Sequence, residues 1–384
     1  MKRNYDYIII GGGIIGLSVA YNLSKKGANN ILLLEKDFVG EGSTGKCAGG
    51  IRLQFSTDIN IRFSILSRKI FDNFKEEFGV DPEFKKVGYL FLATEESELS
   101  IFEKNIALQR KFGIDVELLT QKEIKKRWPY LKTDDIKGGT FCAQDGYAGP
   151  HEVVQGYMRA IRRLKKVDIM QKEEVIGIDF KNNLWKVKTK KEYFNSPLVI
   201  NCGGPYARNI ANMAKINIPI SPIRRQIFVT EPFDMIKGDI PLTIDLARGW
   251  YFRREGKGIL MAGPQDEKES FNTTTDFEGM TYAAENGVYR VPIFSSCRFA
   301  TSWAGLYEIS PDSHAIMGEV EGNKGFYIAA GFSGHGFQHA PAAGLLMAEL
   351  ILEGNAHTID ITPLSPSRFA KGRLIKESLT AFKE

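Results

Sequence analysis

Residues 5–36 read YDYIIIGGGIIGLSVAYNLSKKGANNILLLEK. The apolar, β-branched run Tyr7–Ile10 is typical of a strand that is buried on both faces. Helical periodicity follows over Leu17–Lys26, and a second apolar run occupies Ile31–Leu34. The stretch therefore predicts a βαβ unit at the start of the chain, around which the rest of the fold is expected to be built.

Glycines join the first predicted strand to the helix in the pattern G-x-G-x-x-G. Gly11 permits a tight turn, Gly13 lets the backbone approach a pyrophosphate, and Gly16 lets the helix close on the sheet. The helix N-terminus would present its N–H groups to the diphosphate. Glu35 ends the second strand, where its carboxylate can accept hydrogen bonds from an adenosine ribose and would repel the 2′-phosphate of NADP. The unit therefore predicts a dinucleotide site, and the motif alone leaves NAD and FAD open.

Length and composition describe a globular protein of about two domains. The chain has 384 residues, of which 43% are hydrophobic and 25% charged, and its net charge is +5. The densest basic run, residues 159–166, falls late in a helical pattern, where it complements the helix dipole and does not indicate nucleic-acid binding. No apolar stretch reaches the length of a membrane span, and the cysteines are too dispersed for a metal cluster or a disulfide framework. We therefore expect a cytoplasmic protein with no metal, no membrane span and no nucleic-acid partner.

Periodicity and turn residues divide the remaining chain into further elements. Helices are predicted over residues 58–78, 96–112, 120–131, 151–164, 206–214 and 342–352. Strands are predicted over residues 89–94, 174–180, 184–188, 198–201, 226–230, 250–253, 258–262 and 326–330, with a hairpin turn at Asn182-Asn183. Loops are predicted at the glycine-rich stretches 40–50, 138–150 and 331–336, and an antiparallel sheet over residues 219–299.

Two motifs near the end of the chain indicate a family. Residues 303–312 read WAGLYEISPD, and residues 331–337 read GFSGHGF. Together with the N-terminal unit they resemble the D-amino-acid oxidase-like superfamily of FAD-dependent oxidoreductases. Within it the chain is similar to sarcosine oxidase β subunits and dye-linked L-proline dehydrogenase β subunits, over nearly its whole length. The resemblance implies FAD stretched along the βαβ unit, with its isoalloxazine ring between two domains.

The resemblance also implies the fold class, which is α/β. A discontinuous Rossmann-like FAD-binding domain of the glutathione-reductase type would comprise residues 1–80, 143–218 and 301–384. An inserted α+β substrate or cap domain, built on a mostly antiparallel sheet, would comprise residues 81–142 and 219–300. The loop at 331–336, which alone would be an ordinary strand-to-helix turn, would then present backbone N–H groups to the edge of the flavin that gains negative charge on reduction.

A set of residues along the chain is expected to bind FAD. Gly305 stands where monomeric sarcosine oxidases carry the flavin-linking cysteine, so the resemblance implies that FAD is bound non-covalently. The expected FAD-binding residues are Gly11, Gly13, Ile14, Ile15, Gly16, Glu35, Lys36, Ser43, Thr44, Lys46, Gly49, Gly50, Val175, Cys202, Gly203, Gly204, Gly305, Gly331, Phe332, Ser333, Gly334, His335, Gly336 and Phe337.

The family reaction passes a hydride from the carbon next to an amine nitrogen to flavin N5 and gives an imine. The protein must then supply a cation for the substrate carboxylate, and a guanidinium group suits a carboxylate best. Arg52 is the first candidate because it follows a loop that resembles the carboxylate-binding segment of sarcosine oxidases, although a structural ion pair is equally plausible for it. Tyr251 falls where the family has an active-site tyrosine, and His335 is expected to pack beside the flavin. Arg248 and Arg253 are nearby cations that we expect at the surface.

Two further positions depart from related enzymes. Tyr307 stands where amino-acid oxidases have their carboxylate-binding arginine, which argues against the D-amino-acid oxidase branch. We place it with Arg52, Tyr251 and His335 in the expected catalytic set. The strand 258–262 lacks the lysine that sarcosine oxidases place above the flavin for oxygen activation, although Lys257 is close. We therefore expect a dehydrogenase that passes electrons to a dye, quinone, ferredoxin-like carrier or, less efficiently, oxygen.

His151 aligns with the histidine of sarcosine oxidase β subunits that carries a second flavin, FMN, at the interface with the α subunit. A histidine at a helix start is more often a surface or capping residue. If it does hold FMN, the chain would work with an α-type partner subunit. A homo-oligomer is the alternative assembly.

The leading hypothesis is FAD-dependent oxidation of a small secondary or N-methyl amino acid of the sarcosine or L-proline type. The alternatives are an oxidase or dehydrogenase of a primary amino acid such as glycine or a D-amino acid, and a tRNA-modifying flavoprotein domain. A non-catalytic electron-transfer subunit and an NAD-dependent dehydrogenase are the remaining alternatives.

Overall fold

A computed structural model describes residues 3–376, so residues 1–2 and 377–384 of the predicted FAD-binding domain lie outside it. Its helices are α1 (Ile14–Lys25), α2 (Asp58–Asp72), α3 (Phe74–Phe78), α4 (Glu96–Lys111), α5 (Gln121–Arg127), α6 (Pro150–Leu164), α7 (Ala207–Met213), α8 (Phe277–Arg290), α9 (Gly336–Glu353) and α10 (Ser367–Ala370). Short 3₁₀ turns occupy Gly204–Tyr206, Pro292–Ser296 and Thr362–Leu364.

The strands, in chain order, are β1 (Tyr7–Ile10), β2 (Ile31–Leu34), β3 (Gly50–Ile51), β4 (Tyr89–Ala93), β5 (Glu117–Thr120), β6 (Gly138–Cys142), β7 (Gly146–Tyr147), β8 (Val167–Met170), β9 (Val175–Lys181), β10 (Leu184–Thr189), β11 (Tyr193–Ser196), β12 (Val199–Asn201), β13 (Ser221–Thr230), β14 (Leu242–Asp245), β15 (Trp250–Glu255), β16 (Gly258–Gln265), β17 (Phe299–Ile309), β18 (Ile316–Glu319) and β19 (Phe326–Ala330).

The predicted βαβ unit forms the centre of the first sheet, whose strand order is β18-β19-β12-β1-β2-β8. All its neighbouring strands are parallel except β18 and β19. Side chains of β1 alternate between two apolar cores, because Ile9 packs on the side of α1 while Ile8 and Ile10 pack on the side of α7. This two-sided burial explains the continuous apolar runs of β1 and β2.

Two glycines let helices approach this sheet and each other. A Cβ atom on Gly16 would lie 2.0 Å from the carbonyl oxygen of Gly11. A Cβ atom on Gly344 of α9 would lie 2.1 Å from Ser18 Oγ of α1. The absence of a side chain at Gly16 and Gly344 therefore allows α1 and α9 to pack closely above the sheet.

The second sheet has the order β17-β13-β16-β15-β14-β4-β6-β5 and is antiparallel except between β4 and β14. One of its faces packs against α8, whose buried Ala283 lies in a core with Phe228 and Trp250. The opposite face carries Tyr251 and Ile227 towards the first sheet. The predicted α/β fold class is confirmed, with one mostly parallel and one mostly antiparallel sheet.

Several predicted elements are corrected by the structure. The stretch 138–150 is not a loop, because it contains β6 and β7. Its glycines allow the neighbouring strand to pack closely, because a Cβ atom on Gly139 would lie 2.4 Å from the carbonyl oxygen of Phe91. The region 219–299 holds helix α8 as well as strands, and α9 begins at Gly336, ahead of the predicted start at residue 342.

The hairpin turn at Asn182-Asn183 is confirmed, since both residues have left-handed φ values of 53° and 59°, as a type I′ turn requires. Most of strand β17 lies in the stretch assigned to the FAD-binding domain, yet the strand pairs with β13 in the second sheet. The predicted domain boundaries stay a prediction. Among residues 3–376, no helix has both the length and the apolar character that crossing a bilayer requires.

Candidate active site

A cavity of about 700 Å³ lies between the two sheets. Its lining comes from the glycine turn before α1, the loop 41–50, the junction after β12, the inner face of the second sheet and the loop before α9. These segments lie far apart in sequence. The parallel sheet contributes the carboxyl ends of its strands, which is where open α/β sheets bind ligands.

The start of α1 opens onto the cavity. Gly13 precedes the helix and has no side chain with which to cap it. The N–H of Ile14 donates to Thr44 Oγ1 at 3.0 Å. Gly11 has a φ of +110°, and a Cβ atom there would lie 2.3 Å from the carbonyl oxygen of Cys202. The turn therefore brings the positive end of the helix dipole to the cavity, where it can stabilise a diphosphate.

Glu35 lines the cavity at the end of β2. Its Oε2 atom accepts a hydrogen bond from the N–H of Gly12 at 2.7 Å, and its Oε1 atom accepts one from the N–H of Asp37 at 2.8 Å. An ionised carboxylate offers about four acceptor positions. The fixed carboxylate can therefore also accept hydrogen bonds from ribose hydroxyls.

The loop 41–50 is fastened to strand β17. Ser43 Oγ donates to the carbonyl oxygen of Leu306 at 2.6 Å, and Trp303 Nε1 donates to the carbonyl oxygen of Lys46 at 3.0 Å. A Cβ atom on Gly305 would lie 3.1 Å from the Cβ of Lys46. The loop and the strand thus form one wall of the cavity.

Arg52 lines the same cavity and is only 7% exposed. Its guanidinium donates to the carbonyl oxygen of Gln54, lies 3.3 Å from His335 Nε2, and stacks 3.9 Å from the ring centre of Phe55. Its backbone N–H donates to Gln338 Oε1 at 2.7 Å. These contacts hold the cation in one position.

A buried carboxyl group supports the segment that carries Arg52. Asp145 accepts hydrogen bonds from the N–H of Leu53 at 2.8 Å and from Gln54 Nε2 at 3.1 Å. Burial raises the pKa of Asp145 to about 6, while these hydrogen bonds and the charge of Arg52 act in the opposite direction.

Two tyrosines face the cavity from the second sheet. Tyr251 and Tyr307 both line it and lie close enough to affect each other's pKa. Burial raises the pKa of both phenols, and the charge of Arg225 acts in the opposite direction. Both hydroxyl groups therefore stay protonated and can donate hydrogen bonds to a ligand.

The loop between β19 and α9 completes the cavity. Gly331 and Gly334 have φ values of +74° and +89°, which glycine adopts without strain. Burial lowers the pKa of His335 well below its ordinary value, and the charge of Arg52 lowers it further. His335 is therefore neutral and only weakly basic, which agrees with a packing role.

A family model described as FAD dependent oxidoreductase matches residues 6–350. The chain belongs to this family. Among curated proteins it is 30% identical to FAD-dependent oxidoreductase domain-containing protein 1 of Xenopus laevis, over 95% of this chain and 82% of that protein. It is 28% identical to sarcosine oxidase subunit beta of Rhizobium meliloti, over 98% of this chain and 91% of that protein.

Among solved structures, L-proline dehydrogenase from P. horikoshii matches with a TM-score of 0.90 and 32% identity, over 98% of this chain and 100% of that chain. The predicted resemblance and the prediction of an FAD-dependent oxidoreductase are confirmed. The NAD-dependent alternative is excluded by the family. The cavity fits FAD, because a glycine turn at a helix start and a fixed carboxylate lie at the end of one sheet and the same cavity extends along the face of the other.

The cavity brings together all four expected catalytic residues, Arg52, Tyr251, Tyr307 and His335. The expected FAD-binding residues that line it are Gly11, Gly13, Ile14, Ile15, Glu35, Lys36, Ser43, Thr44, Lys46, Gly49, Gly50, Val175, Cys202, Gly203, Gly204, Gly305, Ser333, Gly334, His335, Gly336 and Phe337. Gly16, Gly331 and Phe332 are buried beside the cavity and do not line it.

His151 lies in the first turn of α6, is exposed, and does not line the cavity. Arg248 is partly exposed, 3.5 Å from the ring centre of Tyr289. The expectation that Arg253 lies at the surface is wrong, because it is 4% exposed and donates to the carbonyl oxygen of Ala48 at 2.8 Å.

Sequence reasoning missed the two charged residues with which the second sheet lines the cavity. Arg225 of β13 is 3% exposed and donates to the carbonyl oxygen of Gly249 at 2.8 Å. Glu308 of β17 follows Tyr307 and accepts a hydrogen bond from the N–H of Gly331 at 2.9 Å. Arg225 stands between Arg224 and Gln226, just ahead of the predicted strand 226–230, so no pattern distinguished it from a surface residue. The WAGLYEISPD motif contains Glu308 but does not indicate where its side chain points.

Proposed function

We propose that this protein oxidises a small secondary or N-methyl amino acid of the sarcosine or L-proline type. FAD, when bound, supplies the acceptor for the hydride that leaves the carbon next to the substrate nitrogen. The product is an imine, which hydrolyses or cyclises after release. The observation that carries this proposal is the buried Arg52, which lines the cavity between the two sheets.

Arg52 would bind the substrate carboxylate. A guanidinium and a carboxylate form paired, charge-assisted hydrogen bonds that fix orientation as well as position. Because Phe55, Gln54 and His335 already hold the guanidinium, little side-chain entropy would be lost on binding. A carboxylate held there would orient the rest of a small substrate within the same cavity.

Apolar and phenolic groups of the second sheet would surround the substrate amine. Ile227, Leu242 and Ile244 line the cavity beside Tyr251. An apolar wall disfavours an ammonium ion and excludes water, so it favours the neutral amine from which hydride can leave. The protonated hydroxyl of Tyr251 can donate a hydrogen bond within this wall.

Two relatives support this substrate class, since one is named as a sarcosine oxidase subunit and the other as an L-proline dehydrogenase. We further propose a dehydrogenase rather than an efficient oxidase. The lack of a lysine in residues 258–262 supports this, and the acceptor would be a dye, a quinone, a ferredoxin-like carrier or a partner subunit.

We also propose that the chain works with an α-type subunit and shares FMN with it at His151. The exposure of His151 at the start of α6 leaves it accessible to a partner, and a relative is named as a subunit. Acid extraction of flavins from the chain alone and from any co-purifying complex tests this. FMN in the complex that His151→Ala removes is expected, and its persistence in that variant would contradict the assignment.

Anaerobic mixing with a panel of amino acids tests the substrate class. We expect sarcosine or L-proline to bleach the absorbance of bound flavin faster than glycine or D-alanine does. Bleaching by the primary amino acids alone would favour an oxidase or dehydrogenase of that class. Flavin that no amine bleaches would refute the proposal and favour an electron-transfer subunit, and co-purifying RNA would indicate the tRNA-modifying alternative.

A further inference from the structure

We propose that Glu308 is a positioning residue of the FAD site and that its carboxyl group takes up a proton when FAD binds. The inference depends on the family's cofactor and not on which amino acid is oxidised. Glu308 lies on β17, directly after the expected catalytic residue Tyr307. Neighbouring residues of a strand point to opposite faces, so the two side chains serve different parts of the cavity.

The carboxyl group of Glu308 holds the loop before α9. It accepts hydrogen bonds from the N–H of Gly331, at 2.9 Å, and from the N–H of Phe332. A Cβ atom on Gly336 would lie 3.6 Å from its Oε1 atom, and one on Gly204 would lie 3.7 Å from its Oε2 atom. The side chain is therefore bonded to the loop before α9 and lies beside the junction after β12, two segments that both line the cavity.

The surroundings of Glu308 provide hydrogen bonds but little charge compensation. The nearest titratable group on β12 and its junction is Cys202, whose pKa is raised by burial and further by Glu308. His335 of the loop is neutral, and Tyr307 on the same strand is protonated. Arg224 of β13 forms ion pairs with two aspartates at 2.9 and 2.8 Å. Among residues 3–376, no ion pair to Glu308 is found that would stabilise its charged form.

Burial accordingly raises the pKa of Glu308 to about 7, although its two backbone hydrogen bonds act in the opposite direction. FAD would displace water from the cavity that Glu308 lines, and it would bring two negatively charged phosphates. Both effects disfavour a charged carboxylate. The pKa of Glu308 should therefore rise further when FAD binds, and binding should draw in a proton.

The sign of the pH effect follows from linkage. A group whose pKa is higher in the complex than in the free protein weakens binding as the pH rises through that interval. FAD affinity should therefore be constant below pH 7 and fall above it, by up to about tenfold per pH unit. The other titratable groups named above keep one state in this range, because the pKa of Cys202 and of the tyrosines is raised and that of His335 is lowered.

Calorimetric titration of apoprotein with FAD, at pH 7.5 in buffers of different ionisation enthalpy, counts the protons taken up. Wild-type protein should take up a measurable fraction of a proton per FAD, and Glu308→Gln should take up none. The amide of Glu308→Gln is neutral at every pH and still accepts hydrogen bonds, so its FAD affinity should match that of wild type at pH 6 and stay constant to pH 8.5. Glu308→Ala loses both hydrogen bonds and should bind FAD more weakly at every pH.

Asp145→Asn is the matched control, because Asp145 is also a buried carboxyl group with a raised pKa but does not line the cavity. This variant should keep the proton uptake of wild type. No proton uptake by the wild-type protein would overturn the proposal even if every variant failed to fold. Equal uptake by wild type and Glu308→Gln would overturn it as well.

Discussion

The two ends of the cavity differ in the groups that line them, because one is formed mainly by backbone and the other by side chains. At the first sheet, the βαβ unit contributes backbone groups and one carboxylate, and these residues all fall within Gly11–Lys36. At the second sheet, side chains form the site, and they come from segments as distant as Arg52, Tyr251 and Tyr307. A backbone site needs a local turn of defined shape and leaves a motif in the sequence. A side-chain site needs only that separate segments meet in the fold. Its residues are scattered along the sequence and can be recognised as one site only in the tertiary structure.

Gly16→Ala should have the largest effect on stability and on FAD binding, because it changes the backbone packing at the first sheet. Its Cβ atom would lie 2.0 Å from the carbonyl oxygen of Gly11, so α1 would have to move off the sheet. We expect a loss of about 3 kcal/mol or more in the free energy of unfolding, together with loss of FAD. Chemical denaturation and the flavin absorbance of the purified protein measure both effects.

Gly177→Ala is the control, since a Cβ atom there would meet only Lys188 Cβ at 3.8 Å. It should keep wild-type stability and flavin content. Retention of FAD at full occupancy by Gly16→Ala would show that the backbone end tolerates displacement of the helix.

Arg52→Ala should affect the side-chain end alone. Removing a guanidinium that binds a buried carboxylate costs about 2–5 kcal/mol, so substrate affinity should fall by more than about 30-fold while FAD stays bound. Arg52→Lys should recover part of the loss, because an ammonium keeps the charge but not the paired geometry. Substrate titration of flavin absorbance measures the affinities.

Arg248→Gln is the matched control, because Arg248 contacts Tyr289 and Asn286 outside the cavity. Its substrate affinity should equal that of wild type. An unchanged affinity in Arg52→Ala would assign Arg52 a structural role and leave Arg225 as the other buried arginine that lines the cavity in residues 3–376.

Asp145→Asn should change how stability depends on pH. Burial raises the pKa of Asp145 from 3.8 to about 6, so the native state binds more protons than the unfolded state between these values. The contribution of Asp145 to the free energy of unfolding is therefore fully present below about pH 4. It falls by up to about 3 kcal/mol as the pH rises to about 6. The difference in unfolding free energy between wild type and Asp145→Asn should follow this curve.

Asp81→Asn serves as the surface control, because a lowered pKa keeps Asp81 charged over this interval. Its stability should run parallel to that of wild type from pH 4 to pH 6. A constant difference between wild type and Asp145→Asn over the same interval would show that Asp145 does not titrate there.

Tyr251→Phe should have the smallest effect. It removes one hydroxyl group that can donate a hydrogen bond to the substrate, and the loss of such a bond costs about 1 kcal/mol, so kcat/KM should fall by about fivefold with FAD retained. Tyr289→Phe removes a hydrogen bond to Asp135 outside the cavity and should leave kcat/KM unchanged. Identical kinetics in both variants would remove Tyr251 from the substrate's surroundings.

Individual residues show where prediction from sequence succeeded and where it did not. The strand Tyr7–Ile10, the turn at Gly11 and the placement of Glu35 at the cavity follow from local pattern, and the structure has them where they were expected. Gly138 and Gly139 have the composition of a loop, yet they lie in β6 because the neighbouring strands leave no room for a side chain. Arg253 was expected at the surface, yet it is buried against the loop 41–50, which is adjacent only in the fold.

The sequence by itself determined the dinucleotide unit and, through its end motifs, the FAD-dependent family. Those features depend on backbone conformation and on hydrophobic periodicity, which neighbouring residues specify. Only the tertiary structure decided that Arg52, Arg225, Tyr251 and Tyr307 share one cavity, and that Glu308 is turned towards the loop before α9. The physical reason is that strand pairing across the second sheet sets which distant side chains meet, and burial at that meeting point sets their charge.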